Sequence, residues 1–296
     1  MSIDVVPVES AGAVAAERSG ASPGREILRE IVRSKTFIVG AVIVGFWIIC
    51  AIFGYAIAPH DPTAETLTAT NQAPSGAHLF GTDQLGRDML SRVITGVRDI
   101  LIIAPLAVII STALGTAFGL VMGYFRGIVD ESISRILEAF LALPLVVLAL
   151  TAIAALGSSK LVIILVIAVV FTPLIARTVR TSVLLERELD YVAAARLRGE
   201  KGPYIMFVEI LPNVMSPILV EFTVRLGYAV FAIATLSFLG FGVQPPTPDW
   251  AVDIASNYQL VTAGYWWEVL FDAVALASLV IGVNLIADAV EGAFDQ

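Results

Sequence analysis

Side chains that could carry out covalent chemistry are few in this chain, and their spacing matches no catalytic site. The glycines at Gly199 and Gly202 lack the G-x-x-x-x-G-K-[ST] spacing that holds nucleotide phosphates. The single cysteine, Cys50, lies in an apolar run, where we expect a small buried hydrophobic residue, and no cysteine–histidine arrangement supports a hydrolase. The sequence therefore predicts no catalytic residue, and energy for any work must come from another chain or from an ion gradient.

The two histidines, His60 and His78, lie in one polar segment with several carboxylates. Histidine nitrogens and carboxylate oxygens bind Zn²⁺ in proteins, but this spacing fits no known ligand pattern, so the sequence predicts no metal site. The same segment favours a turn followed by a short capped helix. The residues of that turn and cap are Gly81, Thr82, Asp83, Gly86, Arg87 and Asp88.

Composition places the chain in a membrane. Of its 296 residues, 57% are apolar and only 15% are charged, whereas soluble domains have about 45–50% apolar and about 25% charged residues. The net charge of −8 argues against nucleic acid as a partner. We therefore expect an all-α integral membrane protein.

Six apolar segments are long enough to cross a bilayer, which takes about 20 residues of helix. They are Phe37–Ala58, Ile100–Phe125, Ile133–Leu156, Leu161–Ala176, Ser216–Phe241 and Trp267–Val290. Lysine and arginine concentrate in the N-terminal tail and in the loop after the fourth segment, and the opposite side receives only Arg87, Arg92, Arg98 and Lys160. The positive-inside rule then predicts that both termini are cytoplasmic.

This topology divides the chain into a cytoplasmic tail, residues 1–36, which is partly disordered, and a six-span domain, residues 37–296. The domain has extracytoplasmic loops at 59–98 and 242–266 and a cytoplasmic loop at 177–215. Within the fifth span, Glu221 and Arg225 share a helix face in the favourable order. They form either a pore-lining pair or a structural salt bridge between spans.

The cytoplasmic loop has the pattern of a helix–turn–helix finger. Residues 184–197 are rich in Glu, Arg, Leu and Ala, which favours a helix. Gly199 suits a left-handed cap at its end, and Pro203 suits the first turn of a second helix. The pattern alone allows a docking surface or a merely solvated hairpin.

Five stretches, in this order, resemble the peptide/nickel class of ABC importer permeases, specifically the second permease type of dipeptide and oligopeptide importers. The stretches are residues 78–98, 119–144, 189–220, 236–250 and 284–295. The third contains a pattern similar to the family's EAA loop, in which Ala193-Ala194-Ala195-Arg196 precedes Gly199 and Leu211-Pro212. Ala193 stands where the family often has glutamate, and Arg198 and Glu209 replace residues that are usually apolar.

The resemblance implies the type I ABC importer permease fold in a bacterial cytoplasmic membrane. It implies that the EAA-like residues (Ala193 to Arg196, Gly199, Leu211, Pro212) couple to a separate ATPase, and that the 81–88 segment lies against an extracytoplasmic peptide-binding protein. A second permease would complete the pore, two ATPase subunits would carry the ATP and Mg²⁺, and this chain would hold no cofactor. The substrate class would be dipeptides, longer peptides, nickel chelates or another small solute.

Two other hypotheses remain on the sequence alone. A stand-alone secondary transporter would use Glu221 and Arg225 as its ion-coupling site, but such transporters usually show a repeated topology, and no clear repeat is present. A membrane enzyme would need a catalytic cluster, which the sequence lacks.

Overall fold

Helices form the whole framework of this computed structural model, which describes residues 29–294; the predicted disorder of the first residues lies outside that range. The helices are α1 (Lys35–Ile57), α2 (Met89–Phe125), α3 (Gly127–Leu141), α4 (Leu145–Leu156), α5 (Lys160–Glu186), α6 (Asp190–Leu197), α7 (Met215–Phe238), α8 (Trp250–Asn257) and α9 (Trp267–Phe294). Short helical turns at Gly202–Tyr204, Ile205–Ile210 and Leu211–Asn213 lie between α6 and α7.

Five of these helices, α1, α2, α5, α7 and α9, are long and apolar enough to span a membrane. The third predicted span, Ile133–Leu156, is wrong as a single helix, because α3 and α4 meet at a bend of 87°. Pro144 lies at that bend and is the N-cap of α4. Proline has no N–H for a continuing helix and disfavours helical backbone in the residue before it. Within residues 29–294, the bundle therefore has five candidate spans, or six if the bent pair counts as one.

Two spans are longer than the sequence predicted. Helix α2 begins at Met89 rather than Ile100, and α5 continues to Glu186 rather than ending at Ala176. The 37 residues of α2 reach about 56 Å, whereas the hydrocarbon core is about 30 Å thick. Both helices therefore extend into the polar regions, where their ends carry the two sites described below.

Small residues let α2 and α5 lie close together. The glycines of α2 and the branched side chains that they face on α5 are Gly115 opposite Ile175, Gly119 opposite Val179 and Gly123 opposite Val183. A Cβ added at Gly119 would lie 2.6 Å from the Cβ of Val179. Since real Cβ atoms do not approach so closely, glycine is required there for the two helices to touch.

Helix α1 lies at the edge of the bundle. Its backbone approaches α9 where Gly40 meets Gly282, and Trp47 donates a hydrogen bond of 2.8 Å to Ser278 on the same helix. The opposite face exposes large apolar side chains such as Val42 and Ile52. Exposed aliphatic residues at span depth suit lipid contact, so α1 packs on one side and faces the bilayer on the other.

Candidate functional sites at the two ends of the bundle

The polar segment between α5 and α7 folds as a finger, residues 187–214. Helix α6 ends in a Schellman motif, in which the Gly199 N–H donates to the Arg196 carbonyl at 3.0 Å and the Glu200 N–H to the Ala195 carbonyl at 3.2 Å. Gly199 has φ +79°, in the left-handed region. Pro203 lies in the first turn of the next helix. The predicted cap and helix–turn–helix are therefore confirmed.

The first finger helix is not the continuous 184–197 helix that the composition predicted. Helix α5 runs on to Glu186, the chain turns, and α6 begins at Asp190. The Arg187 guanidinium donates to the carbonyl of Tyr124 at the end of α2. This break reorients α6, so that Val192 faces inward and is fully buried.

The finger has its own hydrophobic core against the ends of α2 and α5. The buried members on the finger are Val192, Ala195, Ile205, Met206, Ile210 and Val214, and those on the spans are Leu120 on α2, Ile175, Val179 and Val183 on α5, and Ile218 on α7. Motion of the finger must therefore move α2 and α5 with it, because separating them would expose this core to water. The finger is mechanically continuous with the spans.

The alanine triplet divides between the inside and the outside of the finger. Ala195 is fully buried, whereas Ala193 and Ala194 are exposed. Ala195 therefore supports the finger internally, and the other two alanines lie where a partner could lie close to the helix backbone. Of the remaining EAA-like residues, Leu211 is half-buried, and Arg196, Gly199 and Pro212 are exposed.

The outer surface of the finger combines positive charge with apolar side chains. Leu197 is 90% exposed, and the basic residues near it in the sequence, Arg196, Arg198 and Lys201, are exposed too. Phe207 also is exposed on the second finger helix. Exposed apolar groups rimmed by polar ones are typical of protein-binding surfaces.

Two residues that depart from the EAA-like pattern pair with each other. Arg198 Nη2 lies 2.8 Å from Glu209 Oε1 and joins the two finger helices. The second helix is a π-turn over Ile205–Ile210, with Pro212 shortly after it. Pairing between the two positions explains why both tolerate a charge where apolar residues are usual.

A tyrosine also ties the base of the finger to α5. The Tyr191 hydroxyl donates to Glu186 at 2.9 Å and accepts from the Asn213 amide at 3.2 Å. Burial and the hydrogen bond to Glu186 raise the pKa of Tyr191 to about 12. The hydroxyl therefore stays protonated at neutral pH and keeps this hydrogen bond.

Glu221 and Arg225 bond to each other within α7. Arg225 Nη2 lies 2.6 Å from Glu221 Oε1, and the Thr178 hydroxyl on α5 donates to the same oxygen at 3.4 Å. Arg225 also lies 5.5 Å from the ring centre of Tyr228. The ion pair thus lies within one span and not between two. Its proposed place in a pore stays a prediction.

At the other end of the bundle, residues 58–99 and 237–272 form a cap that is held together by buried ion pairs. We call it the outer cap, because the charge bias of the sequence predicts that this end faces outward. Arg92 forms a bidentate salt bridge with Asp253 on α8, in which Nε lies 2.8 Å from Oδ2 and Nη2 lies 2.6 Å from Oδ1. Its Nη1 donates to the Pro62 carbonyl at 2.9 Å. Arg87 pairs with Asp83 at 2.6 Å. The cap therefore joins the first outer loop to α8.

Tryptophans complete the cap. Trp250 donates to the Val93 carbonyl at 2.9 Å, and its ring lies where a Cβ at Gly96 would be. Trp267 donates to the Thr82 carbonyl at 3.2 Å. Trp250 and Trp267 are buried, whereas the neighbouring Trp266 is exposed. Trp250 and Trp267 therefore pack inside the cap.

The six residues of the 81–88 segment that the resemblance places against a binding protein are all buried. Gly81 and Gly86 have positive φ, as turns require. Asp88 caps a helix by accepting from the Ser91 N–H at 2.9 Å, but that helix is the full-length α2 and not the short helix predicted. Contact of this segment with a binding protein stays a prediction, and here it would involve exposed neighbours such as Gln84.

The N-terminus of α8 is capped by a carboxylate with an unusual environment. Asp249 accepts from the backbone N–H groups of Ala251 and Val252 and from the Ser237 hydroxyl. Burial raises the pKa of Asp249 to about 6, although these hydrogen bonds act in the opposite direction. Sequence analysis did not single out Asp249 or Asp253. A buried arginine demands a carboxylate partner, but the sequence does not say which one.

Known proteins resemble the chain along most of its length. Residues 115–296 match the model of a family described as a binding-protein-dependent transport system inner membrane component. Residues 22–74 match the N-terminal TM domain of oligopeptide transport permease C. A solved structure of the MetNI methionine ABC transporter in an inward-facing conformation shares the fold, with a TM-score of 0.56 at 22% identity, over 69% of this chain and 95% of that chain.

Three curated relatives show the degree of similarity. The dipeptide transport system permease protein DppC of Alkalihalophilus pseudofirmus is 36% identical over 274 residues, covering 93% of this chain and 90% of the relative. The di/tripeptide transport system permease protein DppC of Pseudomonas aeruginosa is 35% identical, covering 93% and 92%. The glutathione transport system permease protein GsiD of Pectobacterium atrosepticum is 33% identical, covering 94% and 93%.

Proposed function

The chain belongs to the family of binding-protein-dependent transport system inner membrane components, and from this membership we propose that it is the permease subunit of an ATP-driven importer for peptides. It is a multi-pass protein of a bacterial inner membrane with the type I ABC importer permease fold. The relatives' names supply the substrate class, because a dipeptide, a di/tripeptide and a glutathione system all carry peptides.

The observation that best supports this proposal is the construction of the finger. Its exposed side offers Ala194 and Leu197 to a partner, while its inner side shares a hydrophobic core with α2 and α5. A force applied at the tip is therefore transmitted to two spans. A hairpin that was only solvated would need no hydrophobic core shared with α2 and α5, and it would not expose an apolar side chain such as Leu197.

We expect the energy source to be a separate ATPase that docks on this surface. ATP and Mg²⁺ would be bound by two such subunits, with neither on this chain. A second permease would complete the translocation pathway, and an extracytoplasmic peptide-binding protein would deliver the substrate. Closure of the ATPase pair would draw the two permease fingers together and tilt α2 and α5, as a rigid-body switch between two states.

The membrane-enzyme and secondary-transporter hypotheses gain no support from the geometry. Glu221 and Arg225 bond to each other, so ion coupling there would first require breaking this pair. We propose instead that the pair stabilises α7 against α5 through Thr178.

The test is a pull-down of the tagged full chain in mild detergent, combined with peptide uptake by the cells. The variant Ala194→Arg places a long charged side chain on the proposed docking surface, and Ala64→Arg makes the same change at an exposed alanine of the outer loop. We expect Ala194→Arg to lose the ATPase and uptake while Ala64→Arg keeps both. Recovery of the wild-type chain without an ATPase, yet with solute transport under an ion gradient, would overturn the proposal.

A further inference from the structure

The fold brings both histidines of the chain to one carboxylate. His60 follows the end of α1, His78 lies in the middle of the outer loop, and Asp88 caps α2. His78 Nδ1 lies 2.8 Å from Asp88 Oδ1, and His60 Nδ1 lies 3.5 Å from the same oxygen. One ligand atom from each of the three residues lies within 4.8 Å of the other two.

These separations suit a shared metal ion. Zinc bonds to histidine nitrogen and carboxylate oxygen at about 2.0–2.2 Å, so two ligand atoms in a tetrahedral site lie about 3.4 Å apart. The separations of 2.8 and 3.5 Å from Asp88 bracket that value. The three ligand atoms lie within 4.8 Å of one another, so the two imidazoles would draw closer together on binding an ion. A hydrogen bond explains His78, but it leaves His60 at the limit of bonding distance from an oxygen that is already used.

The carboxylate is held in place for such a role. The Ser91 N–H and hydroxyl donate to Asp88 Oδ2 at 2.9 and 2.7 Å, which leaves Oδ1 for the histidines. The Ser91 hydroxyl also accepts from the backbone N–H of His60 at 3.1 Å. Hydrogen bonds of this kind fix the orientation of metal ligands and strengthen binding.

The site is buried at its base and open at its rim. The side chains of Asp88, His78 and His60 are 2%, 18% and 46% exposed, respectively. An ion could therefore enter past His60, and water or an external ligand could occupy a fourth position. Two imidazoles and one carboxylate favour Zn²⁺, Co²⁺ or Ni²⁺ over Mg²⁺ and Ca²⁺, which prefer oxygen ligands.

We propose that His60, His78 and Asp88 bind one divalent first-row transition-metal ion, which clips the end of α1 and the outer loop to the start of α2. The sequence predicted no metal site, because the spacing of the two histidines fits no known ligand pattern. The proposal does not depend on the importer function, since it concerns only the organisation of the outer cap.

The test uses the full chain in detergent with a tag that contains no histidine, because the chain itself has only two. After chelator treatment, CoCl₂ is titrated and the visible ligand-field absorption is measured; ZnCl₂ then competes, and bound metal is counted. We expect one ion per chain. Zinc should also raise the unfolding temperature, because it binds the folded state.

Three variants locate the binding. His60→Ala removes a half-exposed ligand, His78→Gln removes the second, and Asp88→Asn removes the carboxylate while keeping an effective N-cap. Each should weaken Co²⁺ binding by at least about tenfold. The control is Asp61→Asn, which changes an exposed carboxylate beside His60 that instead bonds to Thr63, and it should leave the titration unchanged.

Two results would overturn the proposal. One is a wild-type chain that takes up no Co²⁺ or Zn²⁺ at micromolar concentrations. The other is equal binding by the wild type and by the His60→Ala, His78→Gln double variant, which would place the metal elsewhere. Because the double variant lacks every histidine of the chain, any absorption typical of a histidine-bound ion must disappear with it.

Discussion

Replacing Arg92 by methionine should cost the fold about 3–5 kcal/mol, which is the usual effect of removing one partner from a buried ion pair. Arg92 is 1% exposed and is bonded to both oxygens of Asp253 and to the Pro62 carbonyl. Methionine fills part of the space but leaves that carboxylate and carbonyl without their donor. The loss of the guanidinium therefore leaves the buried Asp253 carboxylate without its closest positive charge.

An exposed pair provides the matched control. Arg135 lies 2.6 Å from Glu131 in α3, and both side chains are well exposed. Surface pairs of this geometry contribute about 0.3–0.5 kcal/mol, so Arg135→Met should change stability very little. The contrast isolates burial as the cause, since the substitution and the ion-pair distance are the same.

Cys50 supplies the assay. It is the only cysteine, and it is 3% exposed, so a dye that fluoresces on reaction with thiols reports unfolding in detergent. Arg92→Met should unfold at a clearly lower temperature than the wild type and Arg135→Met.

A double-variant cycle tests the pairing itself. Arg92→Met combined with Asp253→Leu removes both charges, so its loss should be smaller than the sum of the single losses by about 1–3 kcal/mol. If the losses in free energy of unfolding of the two single variants simply added, or if Arg92→Met and Arg135→Met lost the same amount, the reasoning that burial makes the Arg92–Asp253 pair important for stability would be refuted.

Three further changes should have distinct effects. Gly199→Val should abolish peptide uptake while the chain still inserts into the membrane, because valine disfavours φ +79°. Gly199→Asn should retain uptake, since asparagine tolerates the left-handed region. Normal uptake by the valine variant at normal expression would contradict the finger mechanism. Gly119→Ala should lower the free energy of unfolding by about 1–3 kcal/mol, because the added Cβ overpacks α2 against Val179. Gly45→Ala is the control, since a Cβ there meets nothing within 4 Å, and it should be neutral or stabilising. Equal effects of the two variants on thermal unfolding would argue against close packing of α2 and α5. Burial raises the pKa of Asp249 from 3.8 to about 6. The stability that the protonated carboxyl contributes is therefore fully present below pH 4 and is lost as the pH rises through 6, by up to about 3 kcal/mol. Asp249→Asn should remove this pH dependence of the unfolding temperature, and an unchanged pH profile would show that another group is responsible.

Local patterns were enough to predict much of this architecture. Apolar runs of span length locate α1, α7 and α9 to within a few residues, because a helix in lipid satisfies its own backbone hydrogen bonds and needs only apolar side chains. The cap at Gly199 was equally predictable, since a left-handed residue at a helix end favours glycine whatever the rest of the protein does. Pro144 also indicates an irregularity in the third span, but a proline in the sequence does not distinguish a gentle helix bend from a break of 87°.

Partners across the fold were not predictable. The sequence by itself determined that this chain is helical, lies in a membrane and presents a polar finger, because hydropathy, charge bias and turn propensity act over neighbouring residues. Only the tertiary structure decided that Ala195 faces inward and Ala194 outward, that Arg92 meets Asp253, and that His60 and His78 converge on Asp88. These pairings depend on how helices cross and loops close, and a linear pattern carries no record of those distances.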